Sequence, residues 1–326
     1  MLAFLGIVLG IALLIAGGFA LVAGASRIAS KYGVPPMIVG LTVVGFGTSA
    51  PELVVNILGA ITGQTELAFG NVIGSNIANL GLVLGAAAVI QTIDIRGKII
   101  QREIPLLLLI TTIITVMALD GVFENRAPRI GQSDAIVLLL LFAIFIYITV
   151  QDVVLANRDD ALFTSVVQSN IVSDKPQLGY NWLLVTGGLA LLFIGGHVTV
   201  KASVDFATQL GVSTAVIGLF VVAIGTSMPE LVTSIIAAVR KESDLAIGNI
   251  IGSNIFNSLI VLPASALAAP VMIPRGGLLD LMVSWVFAAV LIPIFFLRHA
   301  RVGRPSGIIL LVAYFGYAVY RMKAIG

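Results

Sequence analysis

The sequence predicts an all-α integral membrane protein with ten transmembrane helices, arranged as two inverted five-helix repeats. Three observations carry this. The 326 residues are 59% hydrophobic and only 10% charged, with a mean hydropathy of +1.10. A soluble domain carries roughly 25% charged residues, so the chain lacks the polar groups that would cover a water-facing surface. Apolar stretches of span length, about 20 residues each, follow one another along the whole chain. Finally, long motifs in the first half return in the second at one constant offset.

The spans fall near 3–25, 34–61, 67–91, 103–119 and 134–150, then 181–203, 212–239, 245–268, 279–297 and 306–321. The first stretch has neither a charged leader nor a cleavage site, and reads as a span rather than a signal peptide. The second and third, and the seventh and eighth, carry the motifs taken up below. The longest polar stretch lies between Gln151 and Tyr180 and holds Asp152, Arg158, Asp159, Asp160, Asp174, Lys175 and Pro176. It divides the chain into a first repeat over 1–150, a linker over 151–180 and a second repeat over 181–326. No soluble domain fits in what remains. With no cysteine, disulfides, zinc-thiolate sites and thiol catalysis are excluded. A formal net charge of +2 gives no sign of nucleic-acid binding.

Gly47-Thr48-Ser49-Ala50-Pro51-Glu52-Leu53 recurs as Gly225-Thr226-Ser227-Met228-Pro229-Glu230-Leu231. The same offset carries Gly70-Asn71-Val72-Ile73-Gly74-Ser75-Asn76 onto Gly248-Asn249-Ile250-Ile251-Gly252-Ser253-Asn254, and Gly17-Gly18 onto Gly195-Gly196. One register across three helices marks a duplication. Five spans per half is an odd number, so the second copy must enter the bilayer from the opposite side. Inverted repeats of this kind are common in secondary transporters, whose sites lie where the repeats meet. Of the 18 Lys and Arg residues, only Arg126, Arg129, Lys201, Arg275, Arg321 and Lys323 fall on one side of this topology. The richer side is cytoplasmic by the positive-inside rule. Both termini are then expected outside, and the 151–180 linker in the cytoplasm.

Glu52 and Glu230 stand in apolar sequence at bilayer depth, where a carboxylate is costly and normally functional. Helical geometry puts Thr48 and Glu52 on one face. Pro51 and Pro229 each lack a backbone donor and leave a carbonyl one turn earlier unpaired. Such breaks persist in membranes where the backbone lines a cavity. Gly70, Gly74, Gly248 and Gly252 suit close helix approach, and Ser75, Asn79, Ser253 and Asn257 add hydroxyl and amide groups. The combined set is two carboxylates plus neutral oxygens, with no histidine or sulfur. That suits calcium, which takes six to eight oxygens in flexible geometry, with sodium at neighbouring positions.

These paired GTS-x-PE and GN-x-IGSN motifs, within 40–85 and 218–263, resemble the two alpha repeats of the calcium/cation antiporter superfamily, in its prokaryotic-type sodium/calcium exchanger branch. The resemblance implies a ten-helix fold in which the first and sixth helices slide past a core built on the alpha repeats. It implies that Glu52 and Glu230 hold calcium together with the backbone carbonyls of Thr48 and Thr226. Sodium would use Thr48, Ser49, Ser75, Thr226, Ser227, Ser253 and the carbonyls of Gly45 and Ala223. Potassium-dependent members carry an aspartate where this chain has Asn257, so potassium dependence is not expected. Proton-coupled relatives typically show GN-x-x-E where this chain has GTS-x-PE.

The expected function is therefore antiport of Ca2+ against Na+ by alternating access, electrogenic and potassium-independent, in the cell membrane. The alternatives are H+/Ca2+ exchange on the same fold, a passive cation channel, and an intramembrane enzyme. The last lacks G-x-S-x-G, H-E-x-x-H and paired intramembrane aspartates. No cofactor is expected beyond the transported ions, and no partner beyond the bilayer, so the chain is expected to work as a monomer. Gly45-Phe46-Gly47-Thr48-Ser49-Ala50 fits a dinucleotide loop, but Ala223 in the second copy and the absence of βαβ context remove that reading. Asn76 and Asn254 can equally stitch helices together. His197 and His299 read as residues at the membrane surface. Asp94, Asp152, Asp159 and Asp160 lack EF-hand spacing and read as solvated.

Overall fold

A computed structural model describes residues 2–94, 98–123, 127–167, 178–209, 223–297 and 301–325. It is almost wholly helical. Helix α1 runs Leu2–Tyr32; the next span is assembled from α2 (Pro36–Val39), a π turn (Gly40–Val44), α3 (Gly45–Thr48) and α4 (Ala50–Ile61). The third combines α5 (Thr65–Ala78), a π turn (Asn79–Val83) and α6 (Leu84–Ile90). Strand β1 (Ile93–Asp94), α7 (Lys98–Phe123), β2 (Arg129–Ile130) and α8 (Gln132–Val167) complete the first half. The second begins with α9 (Leu178–Gln209), then α10 (Ala223–Thr226), α11 (Met228–Val239), α12 (Ser243–Phe256), a π turn (Asn257–Val261) and α13 (Leu262–Ala268). It ends with β3 (Val271–Met272), α14 (Gly277–Leu297), β4 (Arg301–Val302) and α15 (Arg304–Ile325).

Among the described residues, seven helices are long and apolar enough to cross a membrane, and the pair Pro36–Thr48 and Ala50–Ile61, bent by 43°, makes an eighth. Met228–Val239 and Gly277–Pro293 are shorter apolar helices. The protein is an integral membrane protein. Its outer surface is apolar, with Leu58, Ile61, Leu67, Leu183 and Val312 all exposed, as a surface solvated by lipid requires. Many polar side chains, among them Thr48, Ser49, Glu52, Ser253 and Asn257, are buried instead.

Two spans form the centre. The most apolar window of Ser243–Ala268 is 94% buried and that of Thr65–Ile90 is 72% buried, while Arg304–Ala324 is only 17% buried. Each central span contains a π turn, and the turns open with Asn79 and Asn257. Such turns frequently mark functional sites, and the spacing of apolar residues gives no sign of them. The local structure follows the sequence register: α5, its π turn and α6 map onto α12, its π turn and α13, residue for residue.

Glycines decide how closely these elements meet. A Cβ added at Gly252 would lie 2.3 Å from the Leu41 carbonyl oxygen, and one at Gly248 would lie 2.5 Å from that of Met37. Helix α12 thus rests directly on the backbone of the broken span, as the small-residue pattern predicts. At Gly70 and Gly74 no described atom comes within 4 Å. Their repeat counterparts of Met37 and Leu41 fall in 210–222, outside the described residues. Helices α1 and α9 pair in the same manner, since a Cβ at Gly188 would meet Leu21 N at 2.6 Å.

Two short antiparallel strand pairs tie the halves at their ends. β1 pairs with β4 (Ile93 with Val302, Asp94 with Arg301), and β2 pairs with β3 (Arg129 with Met272, Ile130 with Val271). One difference from the sequence reading lies in the linker. Residues 151–167 continue α8 as helix, because this polar stretch contains neither glycine nor proline to end it. Residues 168–177 lie outside the described set.

The backbone approach at α12 has a measurable consequence. Gly252→Ala is expected to destabilise the protein by roughly 1–3 kcal/mol, the usual cost of overpacking. Gly316→Ala, with no described atom within 4 Å, is expected to leave the melting temperature in detergent unchanged. Equal melting temperatures for both variants would contradict the packing.

Candidate functional site

Each acidic side chain sits just past a helix break. The backbone leaves helical geometry at Ser49 (φ −89°, ψ 3°) and at Ser227 (φ −89°, ψ 7°). Pro51 and Pro229 then occupy the first turns of α4 and α11, where their missing N–H is no loss. Glu52 and Glu230 lie in those same first turns. A helix N-terminus carries partial positive charge and unpaired N–H groups, which favours a carboxylate there. The GTS-x-PE motif therefore makes a kink and sets an acid at the mouth of the following helix.

Both acids are 1% exposed, and they are near enough for their charges to repel one another. Ser49 Oγ donates to Glu230 Oε1 at 2.8 Å, so the break of the first half holds the acid of the second. Glu230 Oε2 and both carboxylate oxygens of Glu52 have no hydrogen-bond partner. Three unpaired carboxylate oxygens at this depth form a concentrated, unsatisfied acceptor. Satisfying it takes protons or cations.

Neutral oxygens surround them. Thr48 Oγ1 lies 3.2 Å from Asn249 Oδ1, 3.3 Å from the Gly45 carbonyl and 3.4 Å from Ser253 Oγ. Ser253 Oγ donates to the Gly45 carbonyl at 3.2 Å. On the other side Ser227 Oγ donates to Ser75 Oγ at 3.3 Å and Thr226 Oγ1 donates to Asn71 Oδ1 at 3.2 Å. Of the residues singled out from sequence, Glu230, Thr48, Ser49, Ser227, Ser75, Ser253 and Gly45 are thus joined by direct hydrogen bonds between the halves, with Glu52 beside them. Thr226 is linked through Asn71. Ala223 opens α10, and its side chain lies outside the described set.

The amides divide. Asn79 Nδ2 donates to Asn254 Oδ1 at 3.2 Å and Asn76 Nδ2 donates to Ser258 Oγ at 2.9 Å, so these residues stitch α5 to α12 and its π turn. Asn257 is fully buried and neither of its polar atoms has a partner. Three further residues escape the sequence reading as site residues. Asn249 bridges Thr48 to the second half, Asn56 Nδ2 donates to the Glu52 carbonyl at 2.7 Å, and Ser234 accepts from Asn249 Nδ2 at 2.8 Å. The repetition of Asn71 and Asn249 inside the GN-x-IGSN motif was the available signal. Asn56 and Ser234 differ between the copies and offered none.

A cavity of about 340 Å³ adjoins the site between α9 and the broken span, lined by Gly47, Thr48, Pro51, Leu189, Phe193 and Pro229 among others. Outside the site, Asp94 pairs with Arg301 at 2.7 Å and Asp152 with Arg102 at 2.7 Å. Each of these acids is committed to its own arginine. The side chains of Asp159 and Asp160 and all of His299 lie outside the described set. His197 is exposed on α9.

The sequence profile of the family described as sodium/calcium exchanger protein matches residues 2–151 and 180–323. The chain belongs to the sodium/calcium exchanger family. Among its relatives, the chain is 37% identical to a putative antiporter, CaxA, of Alkalimonas amylolytica, over 95% of this chain and 96% of that protein. It is 30% identical to the sodium/calcium exchanger MaX1 of Methanosarcina acetivorans, over 97% of each. A solved structure of the sodium-calcium exchanger NCX_Mj, soaked with Na+ and Ca2+, superposes with a TM-score of 0.81 at 30% identity, covering 97% of both chains. The fold and the prokaryotic type of the family follow.

Asn257→Asp would set a third carboxylate in an enclosed position with no hydrogen-bond partner. Competition uptake measurements are expected to show altered cation selectivity or a new potassium dependence. An unchanged ion profile would place this side chain outside the ion path.

Proposed function

We propose that this member of the sodium/calcium exchanger family exchanges Ca2+ for Na+ across the cell membrane by alternating access. The observation that carries the reading is the pair of buried acids at the two helix breaks, three of whose four carboxylate oxygens are unpaired. The donor set holds only oxygen. Two carboxylates neutralise one divalent ion, and hydroxyl and carbonyl oxygens suit monovalent sodium. The Ca2+ and Na+ soaked into the structurally similar NCX_Mj support the same choice of ions. In this reading Glu52, Glu230 and the carbonyls of Thr48 and Thr226 hold calcium. Thr48, Ser49, Ser75, Thr226, Ser227, Ser253 and the Gly45 and Ala223 carbonyls hold sodium, with Asn79 and Asn257 completing the wall.

The ten-span inverted repeat belongs to this proposal, with repeats 1–150 and 181–326. The strand pairs support it: β1 and β2 lie at opposite ends of α7, and each pairs with the repeat counterpart of the other. Counterparts at opposite ends are what an inversion produces. The lysine and arginine distribution supports outside termini and a cytoplasmic 151–180 segment. The glycine-lined pairing of α1 with α9 and the cavity beside α9 support movement of these helices against the core. We propose further that the protein works as a monomer, without a cofactor, and as a transporter rather than an enzyme.

Charge sets the energetics. The two acids hold one calcium at neutrality, whereas three sodium ions leave one positive charge. Exchange in that ratio moves net charge, and one elementary charge across 100 mV is worth about 2.3 kcal/mol. Potassium is not coupled, because Asn257 supplies no third acid.

Reconstituted into liposomes loaded with sodium and diluted into sodium-free buffer, the protein is expected to accumulate radioactive calcium. A negative potential on the side that sodium leaves is expected to slow the uptake. Glu230→Gln is expected to lower the rate at least 100-fold while the purified protein stays folded. Normal flux in that variant would sink the site assignment, and uptake driven by a pH gradient without sodium would move the chain to proton coupling.

A further inference from the structure

Asn249 is 1% exposed and lies on α12, on the segment whose glycines rest against the backbone of the broken span. Its three hydrogen bonds reach three parts of the site. Nδ2 donates to Ser234 Oγ at 2.8 Å and to the Glu230 carbonyl at 3.4 Å, and Oδ1 accepts from Thr48 Oγ1 at 3.2 Å. The donors fix which way the amide faces. Reversing it would press its oxygen against the carbonyl oxygen of Glu230.

The Thr48 hydroxyl has one proton and three acceptors in reach: Asn249 Oδ1, the Gly45 carbonyl and Ser253 Oγ. Where that proton goes decides which oxygens keep lone pairs for a cation. If it goes to Asn249, the two lone pairs of Thr48 Oγ1 are turned away from Asn249 and the Gly45 carbonyl is spared a third donor. If it goes to Gly45, it crowds a carbonyl that already accepts from Ser49 N and Ser253 Oγ, each at 3.2 Å.

We propose that Asn249 is a positioning residue for sodium: it takes the Thr48 hydroxyl proton and so leaves the lone pairs of Thr48 Oγ1, one of the neutral oxygens of the site, for the ion. This rests on the exchange reading above, in which those neutral oxygens hold sodium and the carboxylates carry calcium. The effect therefore falls on sodium far more than on calcium. The first half lacks this device in the same form. Asn71 accepts from Thr226, but its Nδ2 is buried without a partner. Asn56, standing where the second half has Ser234, spends its amide on the Glu52 carbonyl. One bond orients Asn71 where three orient Asn249.

The test uses the full chain in detergent, following thermal melting as Na+ or Ca2+ is added, together with uptake in liposomes. Asn249→Leu is expected to raise the sodium concentration for half-maximal stabilisation about five-fold, the loss of roughly one hydrogen-bonded ligand. The calcium value should move less than about two-fold. Thr48→Val is expected to raise the sodium value similarly, and adding Asn249→Leu to it should cost nothing more, because the two act through one hydroxyl. Independent, multiplying effects would overturn the proposal, as would equal losses for both ions or an unchanged sodium value. If Asn249→Leu does not fold, Ser234→Ala takes its place, with a rise of about two-fold expected and the same non-additivity with Thr48→Val. Sodium-dependent melting is read without transport. Wild-type protein that binds sodium but takes up no calcium would therefore refute exchange and leave the Asn249 comparison valid.

Discussion

Two carboxylates held close together away from water dominate this structure. Each costs several kcal/mol to bury ionised and uncompensated, and they also repel each other. The protein meets only part of that cost. The first turns of α4 and α11 supply helix-terminal charge, Ser49 supplies one hydroxyl across the interface, and the remaining oxygens stay unpaired. A purely structural acid would be neutralised by lysine or arginine, as Asp152 is by Arg102. Among the described residues no basic side chain pairs with Glu52 or Glu230. On the function proposed above, that deficit is what an ion fills.

The rest of the architecture follows from holding that deficit in place. Helix breaks are tolerable in a membrane only where protein encloses them, so the spans bearing the breaks are pressed against the central helices. That pressure needs glycine at Gly248 and Gly252, since any side chain would strike backbone. The same approach brings Asn249 and Ser253 within hydrogen-bond reach of Thr48. The GN-x-IGSN motif thus combines two duties: its glycines set the distance and its polar residues use it.

Composition and repetition made much of the fold legible, because lipid leaves few choices: apolar length means a span, and a repeated motif means repeated local structure, as α5–α6 and α12–α13 show. The two acids and their hydroxyl neighbours were legible for the same reason, as polar residues where lipid forbids them. The π turns at Asn79 and Asn257 were not, since an added residue shifts the phase of a helix face, and spans buried over 72% and 94% of their most apolar windows show no face to shift. The roles of Asn56, Ser234 and Asn249 were hidden as well. Asn249 acts through a contact with Thr48, 201 residues away, which no local pattern shows, and at the other two positions the repeats differ. The helical continuation of α8 through 151–167 was read as linker because its residues are polar. Polarity reports solvent, not backbone conformation.

The differences between the halves bear on how such a site works. A perfect repeat would give two equivalent half-sites, each with the same affinity for the same ion. Here Glu230 is held by Ser49 while Glu52 has no hydroxyl partner, and Asn249 is fixed by three bonds where Asn71 has one. On the exchange reading proposed above, the side with more hydrogen bonds presents preset oxygens and the side with fewer is left to be ordered by the ion. On that reading, ordering the second side on binding would use part of the binding energy and make enclosure depend on the ion being present. A site that closes only when its charge is satisfied does not let ions slip through uncoupled, which separates an exchanger from a leak.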